Sequence, residues 1–318
     1  MVSRDDFVGR DVISIEDFSK QEIDYVLDNA AEIKARMGNY SQRLAGRIMV
    51  PIFVEDSTRT VMSTQMAMLR LGGSVVDFDV GKSSFSKGET LEHTFKVIDS
   101  YNPDVVVMRH DNDGVAQLAA DLIKAPFINC GDGKNFHPTQ TFLDLFTIRE
   151  HRGSIDGLKI AIAGDLMYGR PVHSLAEALG LKYEGCNIKF ISPEQLKMPK
   201  DLLKRLKTKG AFFSEHDLED LELIINSGDV DFLYMTRVQR ERFPKGPEGD
   251  QMYEDVTSRY NLKRNIIKTP KPGFKILHPM PIFNEVARDI DDTEYAHYIP
   301  QAGNGPPTRM SLLDLIVV

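Results

Sequence analysis

Three features common in specialised proteins are missing from the sequence. Its 318 residues contain only two cysteines, Cys130 and Cys186, so a disulfide framework is excluded and reduced thiols in a cytoplasmic protein are expected. Positive charge is not in excess: 39 Lys and Arg against 47 Asp and Glu give a net charge of −8. Nucleic acid and anionic membranes are therefore not expected partners. No apolar run is long enough for a membrane span, and the charged segment 1–18 does not resemble a secretory signal.

The composition that is present, 42% hydrophobic and 27% charged, is typical of globular proteins, and the length fits two domains of roughly 100–200 residues each. Short apolar runs alternate with helical patterns, which predicts βαβ units and parallel sheets in an α/β fold. The predicted strands are Ile48–Val54, Ser74–Phe78, Val105–Met108, Pro126–Cys130, Leu158–Ala163, Asn187–Ile191, Phe232–Met235 and Phe274–Leu277. Helices are predicted over Thr60–Leu71 and Thr139–Glu150, and the turn-rich segment 151–157 is the predicted domain boundary. The apolar stretch Met310–Val318 is predicted to form a helix that packs on one of the domains.

Polar and cationic motifs follow several predicted strands, at the edge where open parallel sheets bind ligands. Ser57–Thr60 comes after the first strand and before a helix. The hydroxyls there fit simple helix capping, or a phosphate cradle made of hydroxyls, an arginine and free amides. Both interpretations are open for this motif alone.

The remaining strand exits add further cations and imidazoles, at Arg109-His110, His137–Gln140, Gly164–Arg170, Thr236–Arg242 and His278–Pro281. The glycines of 164–170 lack the spacing of a dinucleotide turn, so nicotinamide and flavin are not expected. Gly81-Lys82-Ser83 fails as a phosphate-binding P-loop because Val76 stands where the first glycine belongs. No HExxH, CxxC or calcium loop occurs, so neither a metal nor a cofactor is predicted. Four arginines at strand exits indicate a substrate with several negative charges.

Eight segments, taken in order, resemble the aspartate/ornithine carbamoyltransferase family. They are STRT at 57–60, SKGET at 86–90, MRH at 108–110, HPTQT at 137–141, GDLMYGR at 164–170, YMTRVQRER at 234–242, HPMP at 278–281 and QAGNG at 301–305. The resemblance implies two doubly wound parallel-sheet domains, with carbamoyl phosphate bound by 1–150 and the amino acid by 151–302. The C-terminal helix at about 303–318 would return to the first domain. It also implies a homotrimer with active sites shared between neighbours, and leaves a regulatory chain possible.

Within this resemblance, each matched residue has an implied role. Arg59, Thr60, Lys87, Arg109 and His137 would be catalytic. The groups that would bind carbamoyl phosphate are Ser57, Thr58, Arg59, Thr60, Arg109, His137, Gln140, Met280 and Pro281. Those for the amino acid are Lys87, Arg170, Arg237 and Gln239, and Ser83 and Lys87 would reach in from the neighbouring subunit.

The implied reaction is carbamoyl transfer to an amine, in the second step of pyrimidine synthesis. Arg237-Val238-Gln239 favours aspartate as the acceptor, because arginine binds a carboxylate and would repel ornithine. Two departures from the family pattern, Pro171 and Ile282, keep a different amino acid as an alternative. A non-catalytic homologue that serves as a scaffold is a second alternative.

Overall fold

The computed structural model describes residues 1–76, 78, 89–238, 240 and 243–317. The predictions for Ser83, Lys87 and Gln239 lie outside the described residues. The chain divides into two compact units, Met1–His151 with Gly303–Val318 (unit 1) and Arg152–Ala302 (unit 2). Both predicted thiols, Cys130 and Cys186, are buried and free.

Unit 1 is built on a four-stranded parallel sheet. Its strands are β1 (Ile48–Phe53), β2 (Ser74–Val75), β3 (Val105–His110) and β4 (Phe127–Asp132), in the order β2-β1-β3-β4. The first connection leads from β1 to the edge strand β2. The next connection leads from β2 to β3, which lies on the other side of β1. The order therefore reverses between β1 and β3, the kind of switch point at which doubly wound sheets bind ligands.

Helices precede, connect and follow the strands of unit 1. They are α1 (Lys20–Ala35), α2 (Thr58–Arg70), α3 (Leu91–Ser100), α4 (Val115–Leu122) and α5 (Pro138–Arg152). α1 begins at a capping box in which the Ser19 hydroxyl accepts from the Glu22 amide at 3.2 Å and the Glu22 carboxylate accepts from the Ser19 amide at 2.6 Å. α5 is buried from Pro138 to Ile148, so its first turn is fixed by the core.

Unit 2 contains a five-stranded parallel sheet. Its strands are β5 (Lys159–Ala163), β6 (Asn187–Ile191), β7 (Phe212–His216), β8 (Phe232–Met235) and β9 (Lys275–Leu277), in the order β7-β6-β5-β8-β9. The helices are α6 (Arg170–Lys182), α7 (Lys200–Thr208), α8 (Leu221–Ile225), α9 (Pro247–Arg259) and α10 (Tyr298–Gly303). The strand order again reverses once, here between β5 and β8.

A final helix, α11 (Gly305–Ile316), follows unit 2 in sequence and packs against α1 and α2 of unit 1. Asn304, just before it, donates its amide to the Thr147 hydroxyl and the Glu150 carboxylate, both at 3.0 Å. The Ser311 hydroxyl donates to the Val26 carbonyl at 2.8 Å. The two segments of unit 1 are therefore joined by hydrogen bonds as well as by apolar packing.

The prediction of an α/β fold with two doubly wound parallel sheets is confirmed. All eight predicted strands are present, with ends that differ by up to three residues. One strand, β7, was not predicted, because it lies at the sheet edge and its Phe212 side chain is 65% exposed, so the sequence there shows no buried pattern. Of the helices that the structure describes, none combines the length and apolarity required to cross a membrane.

Candidate functional site

The first group of predicted site residues lies where α2 begins. Ser57 is the N-cap residue with extended backbone (φ −159°, ψ 102°), and among the described residues its hydroxyl makes no capping hydrogen bond. Thr58 and Arg59 are exposed, whereas Thr60 is buried. Partial desolvation lowers the pKa of the Arg59 guanidinium, which stays protonated near neutral pH. Free first-turn amides, hydroxyls and a cation together make a site for an anion.

Arg109 stands beside this helix start because β1 and β3 are neighbours in the sheet. Phe53 is directly opposite Arg109, and the Val54 amide donates to the Arg109 carbonyl at 2.9 Å. The Arg109 guanidinium donates to the Glu55 carboxylate at 2.7 Å and is 14% exposed. The sequence did not predict this ion pair. A bound anion and Glu55 would compete for the same guanidinium.

His137 and Gln140 occupy the start of α5, after a loop that Asp132 anchors. The Asp132 carboxylate accepts from the amides of Gly114 at 3.0 Å and Phe136 at 3.2 Å. His137 is buried, and its Nδ1 lies 3.3 Å from the Thr139 hydroxyl. Gln140 donates its Nε2 to the Asp144 carboxylate at 2.9 Å. That bond fixes the amide orientation and leaves Oε1 as the acceptor that Gln140 offers.

In unit 2, Arg170 and Arg237 follow the adjacent strands β5 and β8. The Thr236 hydroxyl joins the two strand exits: it donates to the Ala163 carbonyl at 3.1 Å and accepts from the Asp165 amide at 2.9 Å. The buried Tyr260 hydroxyl also donates to the Ala163 carbonyl at 2.6 Å and accepts from the Thr236 amide at 3.2 Å. Sequence reasoning missed Tyr260, because a lone tyrosine in a helical pattern carries no motif.

Arg170 itself is the first residue of α6. The loop before it is held by the Asp165 carboxylate, which accepts from the Tyr168 amide at 2.9 Å, and by a 2.8 Å contact between His173 Nε2 and the Leu166 carbonyl. Pro171 lies in the first helical turn, where amides have no partner within the helix, so this departure suits the backbone.

The exit of β9 forms a loop from His278 to Glu285. The Met280 amide donates to His278 Nδ1 at 2.8 Å, and His278 Nε2 lies 2.9 Å from Glu285 Oε1. Burial opposes ionisation of Glu285, but the hydrogen bonds from His278 and the loop backbone outweigh it and lower the carboxyl pKa. Met280 adopts a left-handed backbone (φ 62°). Ile282, the second departure, packs against the apolar core of unit 2.

Arg237 is half-buried, and its guanidinium carbon lies 5.2 Å from the centre of the Phe283 ring. At this distance a cation and an aromatic face attract each other. Phe283, which no motif indicated, therefore supports one of the two predicted carboxylate-binding arginines.

The predicted residues that the structure describes are divided between the two units. Unit 1 holds Ser57, Thr58, Arg59, Thr60, Arg109, His137 and Gln140, and unit 2 holds Arg170, Arg237, Met280 and Pro281. Ser83, Lys87 and Gln239 belong to neither group, since they fall outside the described residues. In the described part of the chain, no cluster of three or more His, Cys, Asp or Glu side chains is arranged to hold a metal ion.

This arrangement defines a two-unit α/β protein with arginines near the switch point of each sheet. The chain belongs to the aspartate/ornithine carbamoyltransferase family. Residues 10–150 match the carbamoyl-P binding domain of that family, and residues 156–316 match its Asp/Orn binding domain.

Relatives are similar over almost the whole chain. The aspartate carbamoyltransferase catalytic subunit of Methanosarcina mazei is 47% identical over 314 residues, covering 98% of each protein. That of Thermococcus onnurineus is 45% identical over 310 residues, covering 96% of each. A solved aspartate transcarbamoylase from Trypanosoma cruzi, in complex with N-(phosphonacetyl)-L-aspartic acid, has a TM-score of 0.91 at 34% identity, covering 98% of this chain and 97% of that one. The M. jannaschii catalytic subunit has a TM-score of 0.84 at 41% identity, covering 96% and 97%.

Proposed function

We propose that this chain transfers the carbamoyl group of carbamoyl phosphate to the amine of L-aspartate, forming N-carbamoyl-L-aspartate and phosphate in the second step of pyrimidine synthesis. The observation that carries the proposal is the placing of cations at both switch points of a protein whose net charge is −8. Four arginines at strand exits, Arg59, Arg109, Arg170 and Arg237, match a reaction in which every substrate is anionic.

Unit 1 would hold carbamoyl phosphate and stabilise the charge that develops on it. The amides and hydroxyls of Ser57–Thr60 would bind the phosphate at the positive end of α2. Arg59, Arg109 and His137 would donate to the carbonyl oxygen as it becomes an oxyanion. Removing one such donor typically costs about 10²–10³ in kcat.

The carbamoyl amino group needs acceptors, and the described residues offer them. Gln140 would accept with Oε1, because Asp144 already takes its Nε2–H. The Met280 and Pro281 carbonyls would accept the second N–H. These contacts would distinguish a carbamoyl group from an acyl group that has no N–H to donate.

Arg170 and Arg237 would bind the two carboxylates of aspartate, together with Lys87 and Gln239. Once aspartate is held there, its amine nitrogen attacks the carbonyl carbon and the C–O bond to phosphate breaks. The departing phosphate takes that electron pair and accepts the proton that the amine loses. No protein nucleophile is needed, so most of the acceleration would come from orientation and charge stabilisation.

We also propose a homotrimer in which Ser83 and Lys87 enter a neighbour's site. An apolar stripe on α2 supports a subunit contact: Met62, Met66 and Leu69 are 55%, 39% and 58% exposed and follow one another on one helix face. A regulatory chain could bind such an assembly without changing the chemistry. The two buried free thiols support a cytoplasmic location.

The test is formation of ureido product from carbamoyl phosphate with L-aspartate and with L-ornithine, run side by side. Turnover with aspartate alone is expected. Arg59→Ala should lower kcat about 10²–10³-fold without loss of stability, because the side chain is exposed. Arg70→Ala, at the other end of the same helix, should leave kcat unchanged.

Absence of turnover with aspartate in a folded protein would contradict the proposed function. Light scattering should give the mass of three chains, and Met66→Asp should shift it toward one chain. A wild-type protein with the mass of a single chain would contradict the trimer.

A further inference from the structure

We propose that His278 and Glu285 are positioning residues that hold the loop Met280–Phe283 in the shape required by both substrates. This inference rests on the proposed function, which gives Met280 a role toward the carbamoyl group and Arg237 a role toward aspartate. Neither His278 nor Glu285 is assigned a substrate contact, yet both are buried, with 1% and 4% exposure. Polar side chains buried to this extent are hydrogen-bonded in folded proteins, and their hydrogen bonds hold the segments that they join.

The hydrogen bonds fix which ring nitrogen of His278 carries the proton. Nδ1 accepts from the Met280 amide at 2.8 Å, so in the neutral ring it has no hydrogen. Nε2 therefore carries the hydrogen and donates to Glu285 Oε1 at 2.9 Å. A flip of the ring would put Cδ2–H opposite the Met280 amide and Cε1–H opposite the Glu285 carboxylate, so both hydrogen bonds would be lost.

The main chain of the loop is tied at both ends. The His278 amide donates to the Gln301 side chain at 2.7 Å, which sets the point where the loop leaves β9. At the other end Glu285 accepts from the amides of Phe283, at 3.3 Å, and Asn284, at 3.1 Å. One carboxylate thus binds the imidazole that orients Met280 and the backbone that carries Phe283.

Phe283 connects this loop to the second substrate. Its ring lies under the Arg237 guanidinium at 5.2 Å and is itself 59% exposed, so side-chain packing alone does not fix it. The Glu285 bonds to its backbone amide supply that restraint. A shift of the loop would therefore disturb a carbamoyl-binding carbonyl and a carboxylate-binding arginine together.

Two substitutions of similar size separate the halves of the network. In His278→Asn, the side-chain oxygen occupies the place of Nδ1 and still accepts from Met280, while the bond to Glu285 is lost. In His278→Gln, the side-chain amide occupies the place of Nε2 and still donates to Glu285, while Met280 loses its acceptor. We expect the KM for carbamoyl phosphate to rise about 10-fold to 100-fold in His278→Gln and less than about three-fold in His278→Asn.

Phe283→Leu tests the aspartate side of the loop. Loss of the aromatic face should raise the KM for aspartate about two-fold to five-fold, which is the effect expected when a cation–π contact of this kind is lost. The KM for carbamoyl phosphate should not change. Phe212→Leu, another exposed phenylalanine, is the matched control and should change neither. Glu285→Gln puts an amide against the backbone N–H groups and should raise both KM values.

Amide hydrogen exchange at Met280, Phe283 and Asn284 gives a readout independent of turnover. Faster exchange at Met280 in His278→Gln but not in His278→Asn supports the proposal. Equal KM values in the two His278 variants, with an active wild type, would overturn it and leave the proposed function standing. A wild type inactive with aspartate would instead overturn the proposed function, and this inference with it.

Discussion

Glu177 is a carboxyl group buried in α6, the helix that begins at Arg170. It is 3% exposed, and burial raises its pKa from 4.5 to about 7. Arg205 lies 3.1 Å from one oxygen, but that guanidinium is about half exposed, so solvent screens the attraction and burial dominates. The other oxygen has no hydrogen-bond partner among the described residues.

A raised carboxyl pKa makes stability fall as pH rises. Between pH 4.5 and 7 the folded protein binds more protons at Glu177 than the unfolded chain, so the free energy of unfolding declines over this range and levels off above it. The total decline in the free energy of unfolding is about 3 kcal/mol, because a difference of one pKa unit between the folded and unfolded states corresponds to 1.36 kcal/mol. We expect Glu177→Gln to remove this decline.

Urea unfolding at fixed protein concentration, from pH 5 to 8.5, measures the effect. The stability of Glu177→Gln relative to wild type should increase with pH, and the exposed control Glu184→Gln should show no such trend. A pH-independent difference for Glu177→Gln would mean that the carboxyl is not the titrating group.

At the level of single residues, the sequence predicts site residues where they belong to a contiguous motif. Ser57–Thr60, His137 and Gln140 lie at the starts of the helices that follow β1 and β4, so their place in the fold could be argued from local pattern. The Glu55–Arg109 ion pair, Tyr260 and Phe283 could not be predicted, because each contacts a segment that is distant in sequence.

The exit of β5 shows how one element depends on another. Gly164 has φ 118°, and a Cβ there would lie 2.4 Å from both the Thr236 and the Tyr260 hydroxyl oxygens. The space that a side chain would need is occupied by the groups that join β5 to β8. Only glycine lets these two strand exits approach so closely.

Gly164→Ala should therefore destabilise unit 2 by roughly 2–4 kcal/mol, from the clash and the backbone strain together. In the folded fraction the KM for aspartate should rise, because the Arg170 and Arg237 segments would be pushed apart. Gly210→Ala is the control, since Gly210 has φ 80° and nothing within 4 Å of its added Cβ; it should cost about 1–2 kcal/mol. Equal losses in both variants would show that the close approach does not matter.

Among the elements, strands with buried apolar residues were predicted within a few residues, because burial leaves a clear pattern. Arg109 and His110 interrupt the apolar pattern but still belong to β3, because hydrogen bonds to the neighbouring strands extend β3 through these two polar residues. The edge strand β7 was not predicted, because a half-exposed strand shows no continuous apolar run in the sequence.

At the scale of the whole molecule, unit 1 depends on a helix from the far end of the sequence. Leu313 of α11 is fully buried, and α11 packs against α1 and α2. Leu313→Ala should cost about 2–5 kcal/mol and loosen the helix whose first turn carries Ser57–Thr60. Leu223→Ala, at a position 73% exposed, should cost almost nothing.

Native-state hydrogen exchange locates the loss. Amides of α1 and α2 should exchange faster in Leu313→Ala, while those of α6 in unit 2 keep their rates. Equal acceleration in both units would mean that the two open as one, contrary to this prediction.

The order of the segments also has a consequence for synthesis on the ribosome. Residues 1–151 emerge first, but α1 and α2 remain without their packing partner until 303–317 have been made, and those residues follow the whole of unit 2. Unit 2 is continuous in sequence, so it can finish folding while unit 1 still exposes the apolar surface that α11 covers. The nascent chain therefore passes through a stage at which its first-made unit is the one in need of a chaperone.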